Sequence, residues 1–153
     1  MEIIIDYCDD LMELPNGLCN LIRLRKLSIP NCHKLSLLLK EIGQLMNLEE
    51  LRPNSCIELP KSVVELHNLS ILDISECLSL TKLPEEIGEL RNLRKFYMID
   101  CSSCELPYSV VKLVHLKEVI GDEETVNSWK IFSSFLSNLT ISAHKDINLD
   151  WLR

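Results

Sequence analysis

The stretch Leu72–Leu93, LDISECLSLTKLPEEIGELRNL, constrains what this chain can fold into more than any other feature. It reads L-x-I-x-x-C-x-x-L-x-x-L-P-x-x-I-x-x-L-x-x-L, and the same slots return along the chain. The first unit carries Ile3, Ile5, Cys8, Leu11, Leu14-Pro15, Leu18, Leu21 and Leu24. The second opens at Leu27 and Ile29 and has Leu39 in the proline slot. The third opens at Leu51 and is shortened between Cys56 and Leu59-Pro60. The fifth has Phe96, Met98, Cys101, Leu106-Pro107, Val110, Leu113 and Leu116, and a further strand begins at Val119. A unit of this length offers a short strand, a turn and a returning arm, and cannot bury its apolar side alone. Stacking brings the apolar slots of neighbours into contact and builds one continuous core, with the strands in parallel.

This pattern is identified as a leucine-rich repeat. The expected fold is an α/β leucine-rich-repeat solenoid: a short curved parallel sheet of about six strands, irregular or short helical return arms, and a C-terminal capping helix. Residues 1–121 form the repeats and 122–153 the cap and tail. Proline after the conserved leucine fits the start of an arm, where no amide donor is needed. The recurring Ile42-Gly43 and Ile87-Gly88 are expected to end the arm in a left-handed turn. Pro53 stands where Ile29 and Ile74 stand, cannot donate to the sheet ladder, and predicts an irregular third coil. Asp122 caps a helix running from Glu123 to Leu136, with Val126, Trp129, Phe132 and Leu136 on one face. Leu139-Thr140-Ile141 adds a final strand, and Ile147, Leu149, Trp151 and Leu152 pack back from the tail. Met1 enters directly at a strand, with no cap before it. The chain therefore reads as a C-terminal piece of a longer protein, or a truncated gene product.

The formal net charge of -7 argues against a nucleic-acid partner and against docking on an anionic membrane. No apolar run approaches a membrane span, and MEIIIDYCDDL lacks the basic start of a signal peptide. Of seven cysteines, Cys8, Cys32, Cys56, Cys77 and Cys101 share one repeat slot, at spacings of 24, 24, 21 and 24. A disulfide framework would not track the period, so these read as reduced thiols of a cytosolic or nuclear protein, packing more than they bond. Cys19 and Cys104 lie outside the column. Cys101-Ser-Ser-Cys104 lacks the two further ligands that zinc needs. His33, His67, His115 and His144 read as surface residues, and Glu85-Glu86 and Glu123-Glu124 as solvated helix starts. Four glycines make a phosphate loop implausible. The chain reads as a non-enzyme with no metal or cofactor of its own.

What remains is a surface. Strand side chains alternate, so the residues between the core leucines share the concave face. One column reads Ile4, Ser28, Arg52, Asp73, Tyr97 and Ile120. The next runs through Tyr7, Asn31, Glu76, Ile99 and Asp100, with Ile71 beside them. The core slots repeat and these do not, which suits recognition of a protein. Tyr7, Ile71, Tyr97 and Ile99 are unusual on a purely solvated face.

The LPxxIGxL repeats, the block Asp100-Cys-Ser-Ser-Cys-Glu-Leu-Pro107, Gly121-Asp-Glu-Glu-Thr125 with Trp129, and Ile147-Asn-Leu-Asp-Trp151-Leu together carry a more specific likeness. The chain resembles the C-terminal end of plant nucleotide-binding leucine-rich-repeat immune receptors. Within them it is most similar to the helper subclass with a mildew-resistance-type coiled coil. Gly121 departs from that pattern, standing where cysteine is expected, and leaves the cap junction one packing side chain short. The resemblance implies intracellular plant defence signalling. It also implies a nucleotide-binding domain for ADP or ATP and a coiled coil, both absent here, and action of the full receptor at the plasma membrane. The implied partners are lipase-like adaptor heterodimers or the receptor's own nucleotide-binding domain. A second class uses similar repeats: free-standing cytosolic scaffolds for small-GTPase or kinase signalling.

Overall fold

The computed structural model describes residues 1–53, 55–101 and 103–144. The tail residues Ile147, Leu149, Trp151 and Leu152 lie outside the described residues, as do Asn54 and Ser102. Each unit contributes one strand: β1 (Glu2–Ile4), β2 (Lys26–Ser28), β3 (Glu50–Arg52), β4 (Ile71–Asp73), β5 (Lys95–Met98), β6 (Glu118–Gly121) and β7 (Thr140–Ala143). They pair in chain order, all parallel, in one seven-stranded sheet. Ile3, Leu27, Leu51, Leu72, Phe96, Val119 and Ile141 stand side by side in register. From Leu27 to Val119 this row is completely buried. Alternation along each strand turns the flanking residues outward.

The return arms are single 3-10 turns at Asn16–Asn20, Ile42–Gln44, Lys61–Glu65, Ile87–Glu89 and Tyr108–Lys112. In these coils the turn from the column cysteine to the proline slot, closed by bonds such as that from the Leu35 amide to Cys32, takes up the chain that a longer helix would need. Pro15, Pro60 and Pro107 precede their turns with φ of -66, -65 and -72°, the angle the ring imposes. The carbonyls of Pro15, Pro60, Pro84 and Pro107 each accept the amide three residues on. Leu39 accepts from Ile42 in the same way, so the missing proline of the second coil costs no bond.

The I-G dipeptides do a different job from the one expected. Among the described residues no glycine has a positive φ. Gly43 and Gly88 are buried where the next arm passes: a Cβ would run into the carbonyl oxygen of Ser62 at Gly43 and of Ser109 at Gly88. Each glycine amide donates to the hydroxyl of that same serine, at 3.2 and 3.1 Å. Arms carrying I-G therefore nest against arms carrying S-V-V, the second coil against the third and the fourth against the fifth. The left-handed residues lie elsewhere. Tyr7, Asn31, Ser55, Glu76 and Asp100, each just before a column cysteine, have φ of 51, 56, 55, 65 and 58°. This bend turns the first five strands into their loops; Asn31 and Asp100 adopt it readily, whereas stacking imposes it on Tyr7, Ser55 and Glu76.

Pro53 has the consequence its chemistry dictates. Ile29 donates to Arg52 and Ile74 to Tyr97 at the strand exits, both at 2.9 Å, but Pro53 has no amide for the fourth coil. β3 and β4 pair at two positions, Glu50 with Ile71 and Leu51 with Leu72. The sheet nevertheless continues, because the ring of Pro53 is buried in the slot that isoleucine occupies elsewhere.

The helix α1 (Glu123–Lys130) is capped by Asp122, whose carboxylate accepts the Thr125 amide at 2.9 Å. It stops short of Leu136 because the chain re-enters the repeat there. A 3-10 turn spans Ser133–Phe135, and Leu136, Leu139 and Ile141 take the places of Leu113, Leu116 and Val119. α1 is thus the return arm of a further coil that ends in β7. Trp129 is completely buried; it meets Phe96 edge to face at 5.8 Å, and its Nε1–H points to Met98 Sδ at 3.3 Å. Gly121 leaves no gap. A Cβ there would lie 2.6 Å from Thr125 Cγ2, so buried Thr125 fills the space. At the opposite end Ile3, Ile5, Cys8, Leu11 and Leu21 are only half-buried. Their counterparts Leu27, Ile29, Cys32, Leu35 and Leu45 are at most 3% exposed.

Gly88→Ala is expected to destabilise by about 2 kcal/mol, seen as a melting point lower by roughly 4–8 °C. Gly17→Ala, with nothing within 4 Å of its Cβ, is the neutral control; equal melting points would refute the nesting of arms. At Asp100, valine should be less stable than glycine by more than about 1 kcal/mol, since a β-branched residue resists a left-handed bend.

Candidate protein-binding face

Two rows of side chains leave the sheet on its outer face. The row nearer the strand starts reads Glu2, Lys26, Glu50, Ile71, Lys95, Glu118 and Thr140. Opposite charges meet across adjacent strands, Lys26 with Glu50 at 3.2 Å and Lys95 with Glu118 at 3.8 Å. The second row reads Ile4, Ser28, Arg52, then Asp73, Tyr97, Ile120 and Ser142.

At the centre the structure brings Arg52, Asp73 and Tyr97 together. The Arg52 guanidinium lies 3.3 Å from Asp73 Oδ2 and 3.7 Å from Glu50 Oε2, and 5.9 Å from the centroid of the Tyr97 ring. Asp73 Oδ1 also accepts the Ser75 amide at 3.0 Å, and Ser75 Oγ accepts the Ile99 amide at 3.1 Å. Arg52 is 41% exposed, so these ion pairs contribute only about 0.2–1 kcal/mol each to folding. Their effect is to hold a cation over an aromatic ring in an arrangement set before any partner arrives. Glu50 was not singled out from the sequence, although its alternation with Lys26 and Lys95 was a readable signal.

The predicted residues fall into three places. Arg52, Ile71, Asp73, Tyr97 and Ile99 are contiguous at the centre. Ile71, Tyr97 and Ile99 are half-buried there, not exposed, because neighbouring strands crowd them. Ile4, Tyr7, Ser28 and Asn31 lie on the first two coils. Ile4 and Tyr7 are the exposed ones, at 61% and 75%, and the amide of Asn31 donates to Asp6 at 2.9 Å. Glu76 and Asp100 stand on the edge where the strands end. A groove of about 700 Å³ lined by Met12, Glu13, Leu37, Leu39 and Gln44 lies on the return-arm side, away from this face.

The column cysteines point inward and bond more than expected. Cys32 Sγ lies 3.4 Å from the Ile5 carbonyl oxygen of the coil before, and Cys101 Sγ lies 2.7 Å from that of Ile74. Cys56 Sγ lies 3.0 Å from the carbonyl oxygen of Glu58. Cys104 occupies the leucine slot of Leu11, Leu35 and Leu80, and its amide makes the same turn bond to Cys101. Burial pushes the thiols of Cys101 and Cys104 each from the ordinary value of 9.0 up to about 12. A hydrogen bond to Cys77 and then burial raise Cys56. Cys56, Cys101 and Cys104 are thus protonated packing groups, the opposite of a reactive thiolate; the hydrogen bond with Cys56 lowers Cys77, which is completely buried. A second column went unread: Asn47, Asn68 and Asn92 donate their side-chain amides to Ile22, Met46 and His67 of the preceding coil, at 2.7, 2.7 and 2.6 Å. The recurring Asn-Leu before β3, β4, β5 and β7 was its signal.

Among the described residues no helix is long and apolar enough to cross a membrane. No protein-family model matches the chain. It is 54% identical to a probable disease resistance protein of Arabidopsis thaliana, over 99% of this chain and 37% of that protein. The chain thus spans well under half the length of that relative. Among solved structures it is similar to a leucine-rich-repeat protein of Leptospira interrogans, with 29% identity and a TM-score of 0.62 over 86% of this chain and 35% of that one. It is also similar to the leucine-rich-repeat domain of the type III effector XopL, with 21% identity and a TM-score of 0.57 over 93% of this chain and 68% of that one. A plant peptide hormone receptor in complex with RGF2 shares the fold at 19% identity and a TM-score of 0.53, over 94% of this chain and 30% of that one. The fold is a leucine-rich-repeat solenoid.

Native protein treated with iodoacetamide near neutral pH should be alkylated first at half-buried Cys8, with the buried thiols at least about tenfold slower. The Cys101 and Cys104 thiols have raised folded pKa values. The stability they contribute is complete below 9.0 and is lost as the pH rises towards 12. The melting point should fall across that interval, and Cys101→Ala should flatten the fall; an unchanged slope would contradict the assignment.

Proposed function

We propose that this leucine-rich-repeat solenoid is the protein-interaction module of an intracellular plant immune receptor, and that it holds its partner with the face centred on Arg52, Asp73 and Tyr97. One observation carries the reading. Behind the sheet the slots repeat with few local breaks such as Pro53, whereas in front a non-repeating row holds an arginine against an aromatic ring, ordered by two carboxylates. Arginine and tyrosine are the residues that most often concentrate binding energy at protein interfaces. Similarity to a probable disease resistance protein supports the defence role. The module works by binding, without catalysis and without a cofactor of its own; nucleotide, ADP or ATP, belongs to another domain of the full receptor. The helper subclass is the finer placement, with residence in the cytoplasm.

Two protein partners suit such a module. One is the lipase-like adaptor heterodimer that brings the signal from upstream sensors. The other is the receptor's own nucleotide-binding domain, which the repeats would restrain. Neither requires nucleic acid or a membrane surface, in keeping with the net charge of -7.

Purified adaptor heterodimer should be captured by the immobilised chain. Tyr97→Ala and Arg52→Glu should each weaken that capture by at least about tenfold, with melting points close to the parent's. Capture undiminished in both variants would place the site elsewhere on the solenoid.

A further inference from the structure

The two halves of the concave face treat charge differently. In the first four coils opposite charges neutralise one another: Arg25 with Glu49 at 2.6 Å, Lys26 with Glu50 at 3.2 Å, Lys34 with Asp10 at 3.3 Å and Arg52 with Asp73 at 3.3 Å. In the last coils they are sorted to opposite edges. Where the chain enters β5 and β6, Arg94, Lys95 and Lys117 are exposed around a shallow hollow. Lys95 reaches Glu118, but Arg94 and Lys117 have no ion-pair partner among the described residues. Where the chain leaves the same strands, Asp100, Asp122, Glu123 and Glu124 surround another hollow with Leu78. None of these four has a cation within ion-pair distance among the described residues, and only Asp122 is used to cap α1.

Folding accounts for only part of this sorting: Asp122 caps α1 and Glu123 and Glu124 lie in its favoured first turn, but no such role gathers Arg94, Lys95 and Lys117 at one edge or adds Asp100 to the other. Like charges gathered at one edge repel, and a helix of this length needs a single cap. Between the edges stand the half-buried side chains of Ile71, Tyr97, Ile99 and Ile120. The edges are six residues apart in the chain, at most roughly 20 Å. A span of that order exceeds the Debye length of about 8 Å at physiological salt, so each edge acts on its own and the two do not cancel.

We propose that the C-terminal half of the face takes a segment of a protein partner that is itself charge-sorted. Carboxylates lie at the end over Arg94 and Lys117, apolar side chains over Tyr97 and Ile120, and lysine or arginine at the end over Asp100 and Glu123. About 13 residues of α-helix cover the span. The proposal rests on the concave-face reading and adds the chemistry and direction of what binds there. An anionic surface such as nucleic acid would meet the acidic edge and be repelled.

The probes are two designed helical peptides of identical composition and matched helicity. One is sorted, with glutamates at one end, leucine and tyrosine in the middle and lysines at the other. The second has the charges mixed. Fluorescence anisotropy should give the sorted peptide at least tenfold the affinity of the mixed one. Arg94→Glu with Lys117→Glu should erase that preference, and so should Asp100→Lys with Glu123→Lys. All four changes together should restore it, because the peptide then binds end for end. Equal affinities, no binding of either peptide, or failure of the fourfold variant to restore the preference overturns the proposal. Tyr97→Ala separates the two readings. If it weakens both peptides while no preference exists, the concave face stands and charge sorting falls. If it weakens neither, both fall.

Discussion

No coil of this protein can hide its own apolar side chains. A unit of one three- or four-residue strand and one 3-10 turn has no interior. Leu27, Leu51, Leu72 and Phe96 are buried only because the next strand lies beside them in register. Burial of each such side chain is worth about 1.5–3 kcal/mol, and every coil draws that from its neighbours. The end coils show the rule by its failure. Ile3 and Ile5 have a neighbour on one side and remain half-buried, although they occupy the slots of Leu27 and Ile29.

Stacking brings a second demand. A chain that bends twice in each coil leaves backbone groups without partners in the usual ladders, and buried groups left unpaired are costly. Side chains from the adjacent coil meet the demand. Thiols reach carbonyls on the inner wall, asparagine amides reach carbonyls before β3, β4 and β5, and serine hydroxyls accept glycine amides between return arms. The price of the same tight path is the left-handed bend at Tyr7, Asn31, Ser55, Glu76 and Asp100. Where the repeat is broken, a local substitute appears: the ring of Pro53 fills an isoleucine slot, and Thr125 fills the space beside Gly121.

Because the inner wall carries the fold, the outer rows are free to carry recognition. The ion pairs of Arg52 add little to stability, because its guanidinium remains partly solvated, yet they place Arg52, Asp73 and Tyr97 with respect to one another. The charges beyond them are interleaved in the early coils and sorted in the late ones. A rigid parallel sheet holds both arrangements, so the face presents a pattern and not a flexible set of side chains.

Much of this was legible in the amino-acid order. The inward row, the parallel stacking, the Asp122 cap and the burial of Trp129 follow from which residues are apolar and at what period, a property each residue carries with it. The concave columns followed from alternation alone, though not their grouping into a central cluster that includes Glu50. Other features depended on atoms some twenty residues away. Gly43 and Gly88 make room for serines of the next arm, a need no local turn rule reveals. Tyr7 and Glu76 bend left-handed because stacking requires it, against their own preference. α1 stops at Lys130 because Leu136 and Leu139 are claimed by the last coil. The order of residues settled which side chains are buried; only the contact between coils decided what the backbone must do to bury them, since those contacts exist once the coils are stacked and not before.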